Sequence, residues 1–177
     1  MNKFEIVRGL ISQQEAERLH KYLILRRKAA TYLKETKHFE DKQVPNTFSL
    51  YGDPIMETYL QELKPKFEAS VGANLTETYA YCRLYQQGDV LTKHKDRSSC
   101  EISTTMFLGG QVWPIYFEPD VEVVLQQGDA VIYRGCDVEH WRDELKGYMC
   151  SQVFFHYSEN KKSLYDGRTV LGVPKDA

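Results

Sequence analysis

The sequence predicts an α+β protein in which two helices precede an antiparallel β-sandwich or barrel. Residues 1–75 contain two stretches with apolar side chains at helical spacing. From Thr76 onward, short runs rich in Val, Ile, Thr, Tyr and Phe are separated by turn residues. Helices ahead of such strands bury their apolar stripes against one outer sheet. We therefore expect a single domain over 1–177, with helical support in 1–75, a β core in 76–157 and a polar tail in 158–177.

Composition limits the classes of protein that the chain fits. Its 177 residues are 42% hydrophobic and 27% charged, which is typical of a soluble globular domain. No apolar run approaches the roughly 20 residues that a membrane helix needs, and the N-terminal residues lack a signal-peptide core. The net charge of −2 gives no reason to expect nucleic acid or a membrane surface as partner. A cytoplasmic location is the expectation.

The four cysteines are widely spaced, and no two of them form a C-x-x-C pair. This spacing argues against a structural zinc site. We expect reduced and mostly buried thiols. The residues concerned are Cys82, Cys100, Cys136 and Cys150.

The first helix follows a short apolar stretch, Phe4–Leu10, that is compatible with an edge strand. The run from Ser12 to Glu15 has the form of a capping box, in which serine and glutamate satisfy each other's backbone amides. Apolar residues at helical spacing then continue to about Thr31. This pattern predicts a helix that lays one stripe on the core.

A polar, irregular loop over Lys34–Asn46 leads to the second helix. The loop is either inert or a lid over an active-site mouth, and the sequence does not choose between these. Asp53 and Pro54 are typical of a helix N-cap and first position. The helix is predicted to end near Gly72.

The β core is predicted from seven short runs with strong strand propensity. Turn residues such as Gln87-Gly88, Gly109-Gly110 and Gly128-Asp129 separate several of them. The predicted strands are Thr76–Tyr85, Glu101–Leu108, Trp113–Phe117, Val121–Leu125, Ala130–Tyr133, Val138–Arg142 and Tyr148–Tyr157.

His94 and Asp96 form an H-x-D pair, and His140 follows 44 residues after Asp96. Residues i and i+2 of an extended segment point to the same side, so an imidazole and a carboxylate can converge on one ion. Two histidines and one carboxylate on one face of a metal leave coordination positions open. This is the facial triad of non-haem Fe(II) oxygenases. The alternatives are an exposed His94 and a hydrogen-bonded His140 without a ligand role.

The remaining histidines are given no function. His20 lies in the first predicted helix and His38 in the polar loop, and both are expected to be solvated. His156, on the last predicted strand, has no assigned role.

The segment Tyr85-x-x-Gly88-x-x-Leu91-x-x-His94-x-Asp96 resembles the Y-x-x-G-x-x-Y-x-x-H-x-D signature of the prolyl 4-hydroxylase-like branch of the Fe(II)/2-oxoglutarate dioxygenases. Leu91 replaces the second tyrosine of that signature.

A second run extends the resemblance towards the C-terminus. Gly128–Tyr133, ahead of His140, resembles the G-D-A-hydrophobic strand of the same family. The resemblance covers roughly Tyr79 to Tyr157.

This resemblance implies a double-stranded β-helix, a jelly-roll or cupin-like barrel, behind the N-terminal helices. It implies Fe(II) held by His94, Asp96 and His140, with 2-oxoglutarate and O₂ as cosubstrates. Tyr85 would hydrogen-bond 2-oxoglutarate. The implied reaction is hydroxylation of a small-molecule or peptidyl substrate, such as a prolyl or other amino-acid group.

The chain departs from the family at the position that usually supplies a cation for the far carboxylate of 2-oxoglutarate. Cys150 stands there. A buried dianion needs compensating charge or several donors. The alternatives with suitable chemistry are Arg83, Arg142, Arg97 and the neutral donor Gln152.

Two rival functions remain compatible with the sequence. One is a cupin-type metal enzyme that needs no 2-oxoglutarate, and the other is a non-catalytic barrel that serves as a binding module. Trp113, Tyr116 and Trp141 are expected to belong to the core, or else to shape a substrate cleft.

Overall fold

The structure is a computed structural model that describes residues 3–159 of the chain. Within these residues lie helices α1 (Gln13–Tyr32) and α2 (Pro54–Val71) and ten strands. The strands are β1 (Phe4–Val7), β2 (Phe48–Tyr51), β3 (Thr76–Gln86), β4 (Leu91–His94), β5 (Ile102–Gly110), β6 (Ile115–Phe117), β7 (Val121–Val123), β8 (Ala130–Arg134), β9 (His140–Arg142) and β10 (Met149–Ser158). Of the predicted tail, residues 160–177 lie outside the described part.

Both helices begin and end where the local chemistry predicts. Ser12 Oγ accepts from the Glu15 amide at 3.2 Å, and Glu15 Oε2 accepts from the Ser12 amide at 3.0 Å, so the capping box of α1 is confirmed. Asp53 accepts from the first amides of α2, which has proline at its first position. Gly72 ends α2 with φ 76°, a left-handed conformation that glycine adopts without strain.

The strands form two antiparallel sheets. The major sheet has the order β1-β8-β5-β10-β3-β2, and the minor sheet has the order β4-β9-β6-β7. The long strands β3, β5 and β10 lie side by side in the major sheet, with Phe154 opposite Tyr81 and Thr105. In the minor sheet, β4 and β9 pair with His94 directly opposite His140.

Each face of the major sheet packs against a different apolar cluster. Val153 and Phe155 of β10 pack in one apolar cluster with residues of both helices, including Leu23 and Phe67. Phe154, which points the other way, belongs to a second cluster that includes apolar residues of the minor sheet. The helices therefore cover the outer face of the major sheet, as predicted, and the minor sheet shares a core with its inner face.

Two strands were not predicted. β2 has four residues and follows a polar loop, and its pairing with β3 depends on neighbours 30 or more residues away. β4 is Leu-Thr-Lys-His, which has one apolar residue and no strand signature. Both strands exist because a partner strand far along the chain offers backbone hydrogen bonds, which local sequence does not reveal.

The loop over Lys34–Asn46 is more ordered than its composition suggests. Thr36–Phe39 form a 3₁₀ turn. Val44 is buried and packs in the second core cluster. The loop is therefore anchored against the β core.

The expectation that His20 and His38 are solvated is wrong. His20 is half-buried, with Nδ1 2.6 Å from Ser151 Oγ. His38 is half-buried, with Nδ1 3.1 Å from the Ser49 carbonyl oxygen. Each histidine packs against a strand that lies far from it in the sequence, which a local polar pattern cannot show.

Among residues 3–159, no helix has the length and apolar content to cross a membrane.

Candidate metal centre

His94, Asp96 and His140 lie together at one end of the minor sheet. The two histidines are opposite each other on β4 and β9, and their rings are 4.3 Å apart. Asp96 follows β4 by two residues and turns its Oδ1 towards both rings. This oxygen lies 3.6 Å from His94 Nε2 and 3.7 Å from His140 Nε2. One potential ligand atom from each residue lies within 4.8 Å of the others.

Backbone carbonyl groups orient both imidazole rings. His94 Nδ1 is 2.7 Å from the Thr92 oxygen, and His140 Nδ1 is 3.1 Å from the Val138 oxygen. A carbonyl oxygen only accepts, so each Nδ1 carries the proton. The lone pair of each neutral ring is then on Nε2, the atom that faces Asp96. A hydrogen bond of this kind from the second ring nitrogen is typical of metal-binding histidines.

The Asp96 carboxylate is fixed on its other side. Ser103 Oγ donates to Oδ2 at 2.7 Å, so Oδ1 is left to face the histidines. The Asp96 amide donates to the Gly135 oxygen at 2.8 Å. A Cβ at Gly135 would lie 2.5 Å from the Cys100 oxygen and 2.8 Å from Ser103 Oγ, and closer still to Asp96 Oδ2. The absence of a side chain at residue 135 therefore makes room for the carboxylate.

The protonation of these groups favours a cation. Burial raises the pKa of Asp96, but the nearby His94 ring and the field of His140 outweigh it and lower the pKa to about 2. Burial lowers the pKa of His140. Burial also disfavours the charged form of His94, yet the nearby Asp96 carboxylate and the hydrogen bond with the Thr92 oxygen leave its pKa raised. The site thus contains an ionised carboxylate beside a neutral imidazole, and His94 must give up any proton when a metal binds.

His156, which received no role from the sequence, lies behind this site. Its Nδ1 is 3.0 Å from Ser103 Oγ, the hydroxyl that holds Asp96. Burial lowers the pKa of His156 to about 4, so the ring is neutral near pH 7. Since Ser103 donates to Asp96, His156 completes a hydrogen-bonded chain that ends on the candidate ligand.

A cavity of about 600 Å³ opens beside the three candidate ligands. One wall is the inner face of the major sheet, where Tyr79, Tyr81 and Arg83 alternate along β3. Tyr51 of β2 and Phe154 of β10 extend this wall. Residues 41–43 and 95–97 border the same cavity from two loops. Such a volume is typical of small-molecule sites.

Of the residues predicted to contact 2-oxoglutarate, only Arg83 and Arg97 line this cavity. Tyr85, Arg142 and Gln152 are almost fully buried behind it. Tyr85 Oη accepts from Arg83 Nη1 at 3.2 Å. The predicted set is therefore divided between the cavity wall and the interior behind the wall.

Arg83 is already engaged by the loop that precedes β2. Its Nη2 donates to Asp41 Oδ2 at 2.6 Å and to Gln43 Oε1 at 2.9 Å. Tyr81 Oη donates to the same carboxylate oxygen. Burial raises the pKa of Asp41, but the charge of Arg83 and these hydrogen bonds outweigh burial and lower it. The guanidinium is thus neutralised within the chain.

Arg142 has a different environment. It is 1% exposed and forms no ion pair with another residue in the described part of the chain. Its guanidinium donates to the Trp113 carbonyl and to Thr105 Oγ1 at 3.4 Å, and Nε has no partner among residues 3–159. Burial lowers the pKa of Arg142, and the Cys150 thiol is one of its close electrostatic neighbours. A buried cation without a counter-charge is costly, which suits a site for an anion.

The aromatic residues singled out in the sequence do not form the cavity wall. Trp113 is buried in the second core cluster, as expected. Tyr116 and Trp141 stack at 5.7 Å on the half-exposed face of the minor sheet. These two residues therefore belong neither to the core nor to the cavity beside the ligands, and both alternatives are wrong for them, because strand alternation turns them away from the ligands. Among residues 3–159 all four cysteines are free, and three of them are buried, as predicted.

Sequence comparisons find no match, whereas structural comparison finds proteins of similar fold. No protein-family model matches the chain, and no curated protein matches it. A viral collagen prolyl hydroxylase from Paramecium bursaria Chlorella virus-1, solved with 2-oxoglutarate, has a TM-score of 0.67 at 13% identity, covering 88% of this chain and 96% of that one.

Two further structures are similar to the chain. A prolyl 4-hydroxylase of Pseudomonas putida has a TM-score of 0.57 at 13% identity, covering 87% of this chain and 91% of its own. HygX of Streptomyces hygroscopicus was solved with nickel, 2-oxoglutarate and hygromycin B. It has a TM-score of 0.64 at 13% identity, and the match covers 92% of this chain and 85% of HygX. The resemblance read from the sequence is thus confirmed at the level of fold. The chain has the fold of the 2-oxoglutarate/Fe(II) oxygenases.

Proposed function

We propose that the protein is an Fe(II)- and 2-oxoglutarate-dependent oxygenase that hydroxylates a small-molecule or peptidyl substrate. The observation that carries this proposal is the convergence of two imidazoles and one carboxylate beside a cavity, with one potential ligand atom from each residue within 4.8 Å of the others. We further propose that the two facing sheets form a double-stranded β-helix, in keeping with the folds of the similar structures.

The donor set fits Fe(II). Two imidazoles and one carboxylate on one side of the ion are the protein ligands of non-haem Fe(II) oxygenases, and they leave positions for a keto acid and O₂. Bound iron with 2-oxoglutarate supplies the oxidising chemistry, in which 2-oxoglutarate becomes succinate and CO₂. The chain orients the imidazole rings of His94 and His140, fixes the carboxylate of Asp96, and forms walls that shield the reaction from water.

We assign the far carboxylate of 2-oxoglutarate to Arg142. The family position for the cation is occupied by Cys150 of the major sheet, and Arg142 of the minor sheet lies close enough to lower the pKa of that thiol electrostatically. Arg142 follows His140 by two residues on β9, so both side chains extend from the same face. Arg83 is less suitable because Asp41 already neutralises it. The Tyr85 hydroxyl and the Gln152 amide are the proposed neutral donors at the same end.

The metal proposal is tested with iron, 2-oxoglutarate and no oxygen. We expect Fe(II) to bind in a one-to-one ratio, and the addition of 2-oxoglutarate to produce the weak visible charge-transfer band of a chelated keto acid. Asp96→Ala should abolish iron binding, whereas Asp137→Ala, which removes an exposed carboxylate three residues before His140, should not. Equal iron content in both variants would refute the proposed ligands.

The anchor proposal is tested by 2-oxoglutarate affinity. Arg142→Gln removes the charge that we expect to bind the far carboxylate of 2-oxoglutarate. The affinity for 2-oxoglutarate should fall by about ten- to a hundredfold, because a charged hydrogen-bonded contact contributes about 1.5–3 kcal/mol. Arg18→Gln, an exposed arginine on α1, is the matched control. If only Arg83→Gln lowers the affinity for 2-oxoglutarate, the residue that binds its far carboxylate is Arg83 and not Arg142.

Two outcomes would favour the rival functions. Iron binding without any spectral change on addition of 2-oxoglutarate would favour a cupin-type metal enzyme. Failure to bind iron, Mn(II) or Ni(II) would favour a non-catalytic binding module.

A further inference from the structure

Tyr133 of β8 is a buried tyrosine whose hydroxyl forms no hydrogen bond with any of residues 3–159. The residue is 2% exposed, yet it lines the cavity beside the candidate ligands. Tyr157 is equally buried and differs in this respect, because its hydroxyl donates to the Leu60 oxygen at 2.6 Å. Buried polar groups are normally paired with protein, water or a ligand. The hydroxyl of Tyr133 is therefore available to a molecule in the cavity.

The register of the major sheet places Tyr133 beside the support of Asp96. Tyr133 is opposite Ser103 on β5, and Ser103 is opposite His156 on β10. Side chains that are directly opposite each other on paired strands extend from the same face. Ser103 is the residue that donates to Asp96 Oδ2 at 2.7 Å. Tyr133 thus extends from the inner face of the sheet next to the residue that holds a candidate metal ligand.

Aromatic contacts hold the ring of Tyr133 in place. Its centre lies 4.7 Å from that of the His140 ring and 5.1 Å from that of the Phe117 ring. Pairs of rings at such distances are stabilised by specific geometry as well as by burial. A side chain that is fixed before a ligand arrives loses less conformational entropy on binding.

The hydroxyl lies between the candidate metal centre and the arginine assigned to the far carboxylate. Burial raises the pKa of Tyr133, the Asp96 carboxylate raises it further, and the Arg142 guanidinium lowers it. Tyr133 is therefore close enough to both charged groups to be influenced by each of them. A dicarboxylate that extends from a metal at Asp96 towards Arg142 passes this hydroxyl. A tyrosine hydroxyl is protonated at neutral pH, so it can donate to an oxygen of the dicarboxylate.

We propose that Tyr133 is a cosubstrate-binding residue whose hydroxyl donates a hydrogen bond to the metal-bound, keto-acid end of 2-oxoglutarate. This inference rests on the proposed oxygenase function. The metal end is favoured because the Tyr133 ring packs against the candidate ligand His140. The far end has other donors in the proposed site, namely Arg142, Tyr85 and Gln152.

The first test measures 2-oxoglutarate affinity in the full chain by anaerobic titration calorimetry with Fe(II) bound. Tyr133→Phe removes only the hydroxyl, and the affinity should fall by about tenfold, the effect of one hydrogen bond to a charged acceptor. The affinity for Fe(II) should not change, because Tyr133 is not a proposed ligand. Tyr157→Phe, the matched buried control, should leave both affinities unchanged.

A double variant identifies which end of 2-oxoglutarate Tyr133 contacts. Tyr133→Phe and Arg142→Gln remove donors that we assign to opposite ends. Their losses in affinity should therefore multiply in the double variant to within about twofold, as expected for independent contacts.

The second test is urea unfolding of the metal-free proteins, which separates a binding role from a structural one. Tyr133→Phe should leave the unfolding midpoint unchanged or raise it, because the change removes no hydrogen bond within residues 3–159. Tyr157→Phe should lower the midpoint, because it leaves the buried Leu60 oxygen without its donor.

Three results would overturn the inference. The first is equal 2-oxoglutarate affinity in Tyr133→Phe and the unmodified protein, and the second is a fall in the midpoint as large as that of Tyr157→Phe. The third is a double variant that binds 2-oxoglutarate no more weakly than Arg142→Gln alone. Each of these leaves the oxygenase proposal standing if the unmodified protein binds 2-oxoglutarate. If the unmodified protein binds iron and not 2-oxoglutarate, the oxygenase proposal and this inference both fail.

Discussion

Gly135→Ala should damage the candidate metal centre although residue 135 offers no ligand atom. The added methyl carbon would lie 2.5 Å from the Cys100 oxygen and 2.8 Å from Ser103 Oγ, and nearer still to Asp96 Oδ2. Ordinary contacts of carbon atoms begin at about 3.5 Å. The Cys100 oxygen belongs to the backbone and yields little, so the Asp96 carboxylate must retreat by roughly 1 Å.

A displacement of that size exceeds what metal coordination tolerates. Ligand distances in metal sites hold to about 0.2 Å, and the hydrogen bond from Ser103 that orients Asp96 would be lost as well. Changes around a metal ligand typically reduce metal affinity by about 10- to 100-fold. Overpacking should also lower the free energy of unfolding by about 1–3 kcal/mol.

The assay for Gly135→Ala has two readouts, anaerobic Fe(II) titration and urea unfolding of the metal-free protein. Gly72→Ala is the control, because Gly72 has φ 76° at the end of α2 and no atom within 4 Å of an added Cβ. It should lose about 1–2 kcal/mol through backbone strain and keep its iron affinity. Iron affinity in Gly135→Ala equal to that of Gly72→Ala would refute the reasoning.

Two other perturbations address the surroundings of the site. Ser103→Ala removes the donor to Asp96 Oδ2, and we expect iron affinity to fall by about tenfold, as measured by competition with a chromogenic chelator; an unchanged affinity would mean that Ser103 does not orient the ligand. Asp41→Asn leaves Arg83 without its counter-charge and should reduce the free energy of unfolding at pH 7 by about 1–3 kcal/mol. Because the folded pKa of Asp41 is lowered, its contribution is complete above the ordinary carboxyl pKa near 3.9 and is lost as pH falls through the lower folded value. The difference between the two proteins in urea unfolding should therefore shrink below about pH 4, and a difference independent of pH down to 3 would contradict this account.

The sequence predicts the helices and the ligand residues because both depend on local patterns. Capping residues mark the starts of α1 and α2 and the end of α2, and the two-residue period of extended chain accounts for the convergence of His94 and Asp96. These features need no knowledge of distant neighbours.

Other parts of the site depend on neighbours far along the chain. Asp41 and Arg83 are 42 residues apart and meet only because the loop before β2 folds onto β3. Ser103 is a small polar residue on a strand, and its role follows from the position of the Asp96 carboxylate. The role of Gly135 likewise depends on distant neighbours, Asp96 and Ser103, and its only sequence signal is a glycine five residues before His140.

The hydrogen bonds of the two candidate histidines have a consequence for how such a site changes in evolution. Each Nδ1 is held by the carbonyl oxygen of the residue two positions before it, Thr92 for His94 and Val138 for His140. Backbone carbonyl groups therefore orient the rings, and any residue type at those two positions provides the same acceptor. A metal centre whose histidines are oriented in this way tolerates extensive replacement of the surrounding side chains as long as the path of the strands is kept. This agrees with a shared fold at 13% identity.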